Sequence, residues 1–384
     1  MRKFFKAAAA IMVSAAMIFA AVPVMADTQT ATGIKDSTGA AAESVTVDTP
    51  GDYTGSLTSG YSGSSLIIPI KTPKAGIMAA AFDSPYVSAE FFTSADCSSS
   101  SAIQQALAGG TLVMNDAAGK SRYIYAAFVD KGAKYYMKLT LKDPDGKLQY
   151  GTKTDFAFSA FLAKTYKEIT SGETVTGGMK PMSVDNSYYK FAAETPGYLK
   201  VTLSYTIGSL SLPADTDIIL SLADAGRVEP AMNRQTLTIE SGKTATAYYA
   251  LNKGSCYAEV RSSIPLFTLK TEFKADTVAG GSVKSTAAAV TPGKINRVSL
   301  GMKGYEDASL WYKFSLKEDA SVSSVIKTIH GNSDYEVRYY NSKGHRIKSL
   351  TDKGRKLDEG TYYVRITKTS EECNAVITLK IKCK

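Results

Sequence analysis

The sequence predicts an all-β protein: three tandem antiparallel β-sandwich domains behind an export signal. Three observations predict it. A phrase made of an acidic or amide residue, a charge, a glycine and a tyrosine-bearing strand occurs three times: Asp130-Lys131-Gly132, Asn252-Lys253-Gly254 and Asp358-Glu359-Gly360. Gly supplies the positive φ of a tight turn before the strand. The spacings of 122 and 106 residues are domain-sized, so the chain reads as three similar modules rather than a solenoid. Second, alternating segments recur about every 8–12 residues with turn signals between them, and only one short stretch has helical character. Third, Tyr (23) and Phe (14) are plentiful and Pro (12) is sparse, a composition that suits pleated, half-buried surfaces.

Taken in order, residues 1–26 carry a basic start (Arg2, Lys3, Lys6), the apolar run Ala7–Ala21 and a small-residue exit at Val24-Met25-Ala26. That is the pattern of a cleaved signal peptide, so the mature protein is expected to be secreted. Residues 27–44 are rich in Thr, Ala, Gly and Ser and read as a flexible leader.

The first sandwich, residues 45–165, takes its strands from Ser65–Ile70, Ala75–Phe82, Val87–Phe92, Arg122–Val129, Tyr135–Leu141 and Asp155–Leu162. Ser101–Ala108 is the helical stretch, and Asp143-Pro144-Asp145-Gly146 is a hairpin signal. The second sandwich, residues 166–275, opens on Thr174–Gly177 and Ser187–Phe191. It continues through Tyr198–Tyr205, Asp217–Leu222, Thr236–Ile239, Ala245–Leu251, Tyr257–Arg261 and Leu266–Phe273, with a turn at Ala223–Gly226. The third, residues 276–384, begins with a Gly/Ser/Ala linker, Ala279–Gly293. Strands follow at Trp311–Phe314, Val322–Thr328, Tyr335–Tyr340, Tyr362–Ile366 and Ala375–Ile381, with a turn at Asn341–Gly344.

Four cysteines occur, Cys97, Cys256, Cys373 and Cys383. The last two bracket one predicted strand whose ends would lie roughly 33 Å apart, far beyond disulfide reach. Stability is therefore expected to come from packing rather than cross-links.

Charge is unevenly placed. The chain carries +9 in total, and residues 277–384 hold 19 basic against 11 acidic residues, a net of +8. With +3 in the signal segment, the remaining mature chain is left at −2. The positive excess belongs to the third module.

Trp311-Tyr312-Lys313-Phe314, then Asp334-Tyr335-Glu336-Val337-Arg338-Tyr339-Tyr340-Asn341-Ser342-Lys343-Gly344, then Leu357-Asp358-Glu359-Gly360-Thr361-Tyr362-Tyr363-Val364-Arg365-Ile366 together resemble the bacterial pre-peptidase C-terminal (PPC-like) domain. The resemblance is closest in the third module, where it spans Leu310–Ile366, and fades through the second to the first. It implies small jelly-roll-like sandwiches and an accessory or binding role in an exported protein, and it carries over no catalytic residue.

Nothing in the chain favours catalysis. The two histidines, His330 and His345, belong to no zinc spacing. Ser187 and Lys190 match S-x-x-K in form, but in a strand they point to opposite faces. The pairs Asp143/Asp145 and Asp215/Asp217 read as turn chemistry rather than calcium loops. No enzyme activity, metal or cofactor is expected.

Two features could bind a ligand. One is the basic run Arg338, Lys343, His345, Arg346, Lys348, Lys353, Arg355 and Lys356, which spans two predicted turns and is expected to gather at one end of the sandwich. The other is the set of aromatic doublets, Tyr135-Tyr136, Tyr188-Tyr189, Tyr248-Tyr249, Tyr339-Tyr340 and Tyr362-Tyr363. One ring of each should face the core and the other face out, with Tyr339, Tyr340, Tyr362 and Tyr363 the candidate platform in the third module. The expected function is that of a secreted, non-catalytic protein of the bacterial envelope whose third module docks on an anionic cell-wall polymer or a membrane surface. Nucleic acid fits the same charge but not an exported protein. A glycan-binding or adhesin-like protein and a structural spacer are the competing readings.

Overall fold

The computed structural model describes residues 32–35, 44–47, 51–59, 65–72, 74–107, 110–146, 148–178, 187–213, 215–224, 232–262, 264–301, 308–348, 350 and 354–384. The signal segment, Lys353, Ala108 and the Ala225-Gly226 end of one predicted turn lie outside them. The described elements are strands, apart from two single 3₁₀ turns at Ser99–Ser101 and Lys284–Thr286. The all-β, sandwich-type fold class read from the sequence is the one observed.

In chain order the first strands are β1 (Thr32–Lys35), β2 (Val45–Thr46), β3 (Gly51–Thr58), β4 (Ser65–Lys71) and β5 (Gly76–Phe82). They are followed by β6 (Val87–Phe92), β7 (Leu112–Asn115), β8 (Ser121–Val129), β9 (Lys134–Leu141) and β10 (Lys153–Ala163). Next come β11 (Tyr166–Ile169), β12 (Thr174–Gly178), β13 (Ser187–Ala193), β14 (Gly197–Ser204), β15 (Thr206–Ile207) and β16 (Leu210–Ser211). Then follow β17 (Thr216–Asp224), β18 (Met232–Ile239), β19 (Ala245–Leu251), β20 (Gly254–Ser262) and β21 (Leu266–Ala275). The last are β22 (Ala288–Ala289), β23 (Ile295–Ser299), β24 (Ser309–Leu316), β25 (Ala320–His330), β26 (Tyr335–Asn341), β27 (Arg346–Ile347), β28 (Arg355–Leu357), β29 (Gly360–Lys368) and β30 (Val376–Cys383).

These strands sort into three pairs of sheets with one repeated order. The sheets β2-β4-β9-β6, β11-β13-β20-β17-β18 and β22-β24-β29-β26-β27 share their first four positions. Their partners contain β3-β10-β5-β8, β12-β21-β14-β19 and β23-β30-β25-β28 in the same way. Each time the opening strand lies parallel to its neighbour (β2 with β4, β11 with β13, β22 with β24), and the other strand pairings among the described residues are antiparallel, apart from one isolated parallel bridge between Lys164 and Gly177. Each pair of sheets is thus antiparallel with one parallel edge. Gly132, Gly254 and Gly360 have φ of 75°, 135° and 148°, and each leads into the matching strand, β9, β20 or β29. The repeated phrase therefore marks a repeated place in the topology.

The first and second sheet pairs share a core. Every residue of β5, Gly-Ile-Met-Ala-Ala-Ala-Phe, is buried, because both faces of its sheet are covered, as an unbroken apolar run requires. Met78, Ala80 and Phe82 pack inside the first pair with Tyr125, Met137 and Phe158. Ile77, Ala79 and Ala81 join Phe191, Leu203, Leu220 and Phe267 of the second. The β15–β16 hairpin extends the first pair's sheet through Ser211, opposite Asn115. The third pair has its own core around Tyr312, Phe314, Val364, Ile377 and Leu379. Its contact with the second is small: Tyr198, Ala250 and Val376 are buried together, and the Asn374 side chain bonds the backbone at Tyr248 and Ala250.

Four expectations are corrected. Residues 101–107 are not helical: a single 3₁₀ turn ends at Ser101, and bridges from Ala102 to Phe92 and Gln105 to Ala127 hold the segment extended. One turn cannot offset helix nucleation, so tertiary pairing wins. The leader is not wholly free, since Thr32–Lys35 is an edge strand on β3. The turn at Asp143–Gly146 forms, with the Gly146 N–H donating to Asp143 O, but it makes no hairpin, because β9 and β10 belong to different sheets. The linker Ala279–Gly293 is ordered through β22, with Ala287 and Val290 buried.

Candidate ligand-binding face

Strand alternation divides the third unit's aromatic and basic residues between two surfaces. On β24, β29 and β26 the core takes Tyr312, Phe314, Tyr362, Val364, Ile366 and Tyr339. The alternate positions, Trp311, Lys313, Tyr363, Arg365, Arg338 and Tyr340, are partly exposed on the outer face. The register sets them in rows. Trp311 lies opposite Arg365, and Arg365 opposite Arg338; Lys313 lies opposite Tyr363, Tyr363 opposite Tyr340, and Tyr340 opposite Arg346.

Within this face the side chains touch. The Trp311 and Tyr340 rings are 5.4 Å apart, and the Arg365 guanidinium is 5.6 Å from the Trp311 ring. Arg365 Nε donates to Ser309 Oγ at 2.8 Å. Lys284, from the segment before β22, lies 4.6 Å from the Tyr363 ring and donates to Ser342 O at 2.9 Å. Arg338 is ion-paired to Glu336 at 2.6 Å, while its buried Nε has no hydrogen-bond partner among the described residues. Two guanidiniums directly opposite on neighbouring strands repel one another. Glu336 relieves only one of the two charges.

The same positions in the other units are filled differently. In the second, Tyr188 stands opposite Glu259 and Lys190 opposite Tyr257. Glu259 is buried and bonded to Arg261, and Lys190 pairs with Glu168, so opposite charges meet there. In the first, the corresponding residues are Ile67, Pro69, Tyr136 and Lys138, with Glu90 opposite Lys138. The indole and the opposed guanidiniums belong to the third unit.

The predicted basic run is divided rather than gathered at one end. Arg338 and Arg346 lie with the face. Lys343 and His345 are exposed in the β26–β27 turn, where the His345 N–H donates to Asn341 Oδ1, and Lys348 is exposed just beyond β27. Arg355 and Lys356 sit on β28 in the opposite sheet, because the chain crosses the sandwich after Leu350 enters the core. Of the predicted aromatic platform, Tyr340 and Tyr363 face out. Tyr339 and Tyr362 are core residues, 4% and 8% exposed, whose hydroxyls bond Ser324 and Asp358 O, so they cannot contact a ligand. Sequence reasoning missed Trp311, Lys313, Arg365 and Lys284. Laying Trp311–Phe314 and Tyr362–Ile366 on alternating faces would have found the first three.

The other candidate chemistry is used internally. Asp215 accepts from the Ser241 N–H and Asp217 from Thr238 Oγ1; Asp143 accepts from the Leu148 N–H and Asp145 from Tyr86. Ser187 is buried against Gly178 O, away from Lys190. Among the described residues no three His, Cys, Asp or Glu side chains converge as metal ligands. The four cysteines are unpaired, and burial pushes the Cys256 thiol up to about 12, which leaves it inert.

No protein-family model and no curated protein matches the chain. Among solved structures, the crystal structure of tripeptidyl peptidase 2 aligns at TM-score 0.21 and 10% identity, over 91% of this chain and 33% of that one. The chain thus spans about a third of that peptidase's length. A triple jelly-roll protein of an archaeal virus turret aligns at TM-score 0.19 and 10% identity, over 86% and 84% of the two chains. Sulfolobus turreted icosahedral virus aligns at 0.18 with the same identity and coverage.

Proposed function

We propose that this is a secreted, non-catalytic binding protein of the bacterial envelope, whose third unit docks on an anionic surface polymer. The observation that carries this reading is the outer face of β24, β29 and β26, where Arg338, Arg365, Lys313 and Arg346 are interleaved with Trp311, Tyr340 and Tyr363. The net +8 of residues 277–384, against −2 for the rest of the mature chain, supports it. The pre-peptidase C-terminal resemblance supports an accessory rather than a catalytic role. Indole and phenol rings on the same face favour a polymer with sugar rings over lipid headgroups. This merges the anionic-polymer and glycan-binding readings.

Binding of this kind weakens steeply with salt as counterions are released and screening shortens. On an anionic matrix, the full chain should be retained at low salt and elute well before about 1 M, where the Debye length is about 3 Å. Arg346→Ser with Arg365→Ser should abolish retention. Arg355→Ser with Lys356→Ser, in the opposite sheet, should leave most of it. Equal losses from both pairs, or retention at about 1 M salt, would contradict the proposal.

A further inference from the structure

Resting on that reading, we infer that the polymer is a polyuronate: a chain of carboxylated pyranoses, with a sugar ring stacked on Trp311 and its carboxylate held between Arg365 and Arg338. Three features of the face lead there.

The first is the pair of guanidiniums. Arg338 and Arg365 are cross-strand neighbours, where like charges are disfavoured. Glu336 binds one end of Arg338. An anion lying over the two strands would offset the repulsion. A guanidinium is a planar fork, and its best partner is a planar carboxylate or a phosphate.

The second feature chooses between those two. The Arg365 guanidinium is 5.6 Å from the Trp311 ring, and the Tyr340 ring is 5.4 Å from it on the other side of β29's row. The ligand must therefore present a flat apolar face within one residue's breadth of its anion. A uronic acid does so, because its carboxylate is attached to the pyranose ring whose C–H face can lie on an indole. A phosphodiester polymer or a phospholipid headgroup carries charge without such a face. It would engage the arginines and be indifferent to Trp311.

The third feature is repetition. Two residues along the strands, about 6.6 Å away, the next row offers Tyr363 and Tyr340 flanked by Lys313, Arg346 and Lys284. Ring and cation recur, as a polymer of one repeating acidic sugar requires. The matching faces of the first two units set an acid opposite a base instead, Glu90 with Lys138 and Glu168 with Lys190.

The test uses the full chain at about 0.15 M salt with four probes: polygalacturonate, its methyl ester, inorganic polyphosphate and phosphatidylglycerol vesicles. Polygalacturonate should bind, and esterification, which keeps the rings and removes the charge, should weaken binding at least about tenfold. Trp311→Ala and Arg365→Gln should each weaken polygalacturonate binding about tenfold, while Arg365→Lys, which keeps the charge without the fork, should restore only part of it. Unchanged thermal unfolding of each variant separates lost binding from lost fold. If polyphosphate binds as tightly as polygalacturonate and Trp311→Ala affects neither, the polyuronate assignment falls and the anionic-polymer reading stands; if the vesicles bind as tightly, both fall. If Arg365→Gln weakens no anionic probe, both fall.

Discussion

Single residues make the joint between the second and third units. Asn374 is buried; its Nδ2 donates to Tyr248 O at 2.8 Å and its Oδ1 accepts from the Ala250 N–H at 2.7 Å. Truncation to Ala leaves a buried amide and a carbonyl unpaired, each costing about 1–3 kcal/mol. Asn374→Ala should therefore destabilise the chain by about 2–4 kcal/mol in urea unfolding; a loss within about 0.5 kcal/mol would mean that water replaces the side chain without cost. At this scale the sequence was partly legible. It required one ring of each tyrosine doublet to be buried, and all five obey, but period two does not say which. The buried member is the first in Tyr135, Tyr339 and Tyr362, and the second in Tyr189 and Tyr249. Hence half of the predicted platform in the third unit turned inward.

Among elements, strands dense in β-branched and aromatic residues were legible nearly to the residue: Val87–Phe92 and Ala245–Leu251 are as read. The strands that escaped are short or rich in Gly and Ser: β1, β3 (Gly-Asp-Tyr-Thr-Gly-Ser-Leu-Thr), β15 and β16. They are held by pairing to neighbours rather than by propensity, so the sequence carries little local sign of them. The chain's crossing between sheets after β27 was equally hidden, and it is what split the basic run. One element end also carries a titratable contact. His330, at the end of β25, stacks on Tyr248 at 3.6 Å and lies near Tyr198, over which Arg297 also sits. Burial, and then the charge of Lys274, lower its pKa below the usual 6.5. With the folded value depressed, the unfolded chain binds the proton first, so stability falls as pH drops through about 6.5 and below. His330→Gln should flatten that part of the stability–pH curve. An unchanged slope would show that other groups produce it.

Across the whole molecule, the sequence revealed the repeat and the charge asymmetry. It did not reveal that the first two units share one core while the third meets its neighbour through a small joint. The reason is physical: the outward alanines of β5 resemble ordinary strand residues, and only their burial on both faces shows what covers them. Three units of one topology thus differ in use. Two bury faces against each other, and the third keeps its aromatic and basic face open. The chain contains a single tryptophan, Trp311, and it lies in that face, so its fluorescence reports directly on the central claim. Titrating the full chain with polygalacturonate should change Trp311 emission in a saturable way at low salt, and the change should vanish near 1 M salt, where charges are screened beyond about 3 Å. Polymer binding by sedimentation with no change in Trp311 emission would place the ligand elsewhere and contradict the account.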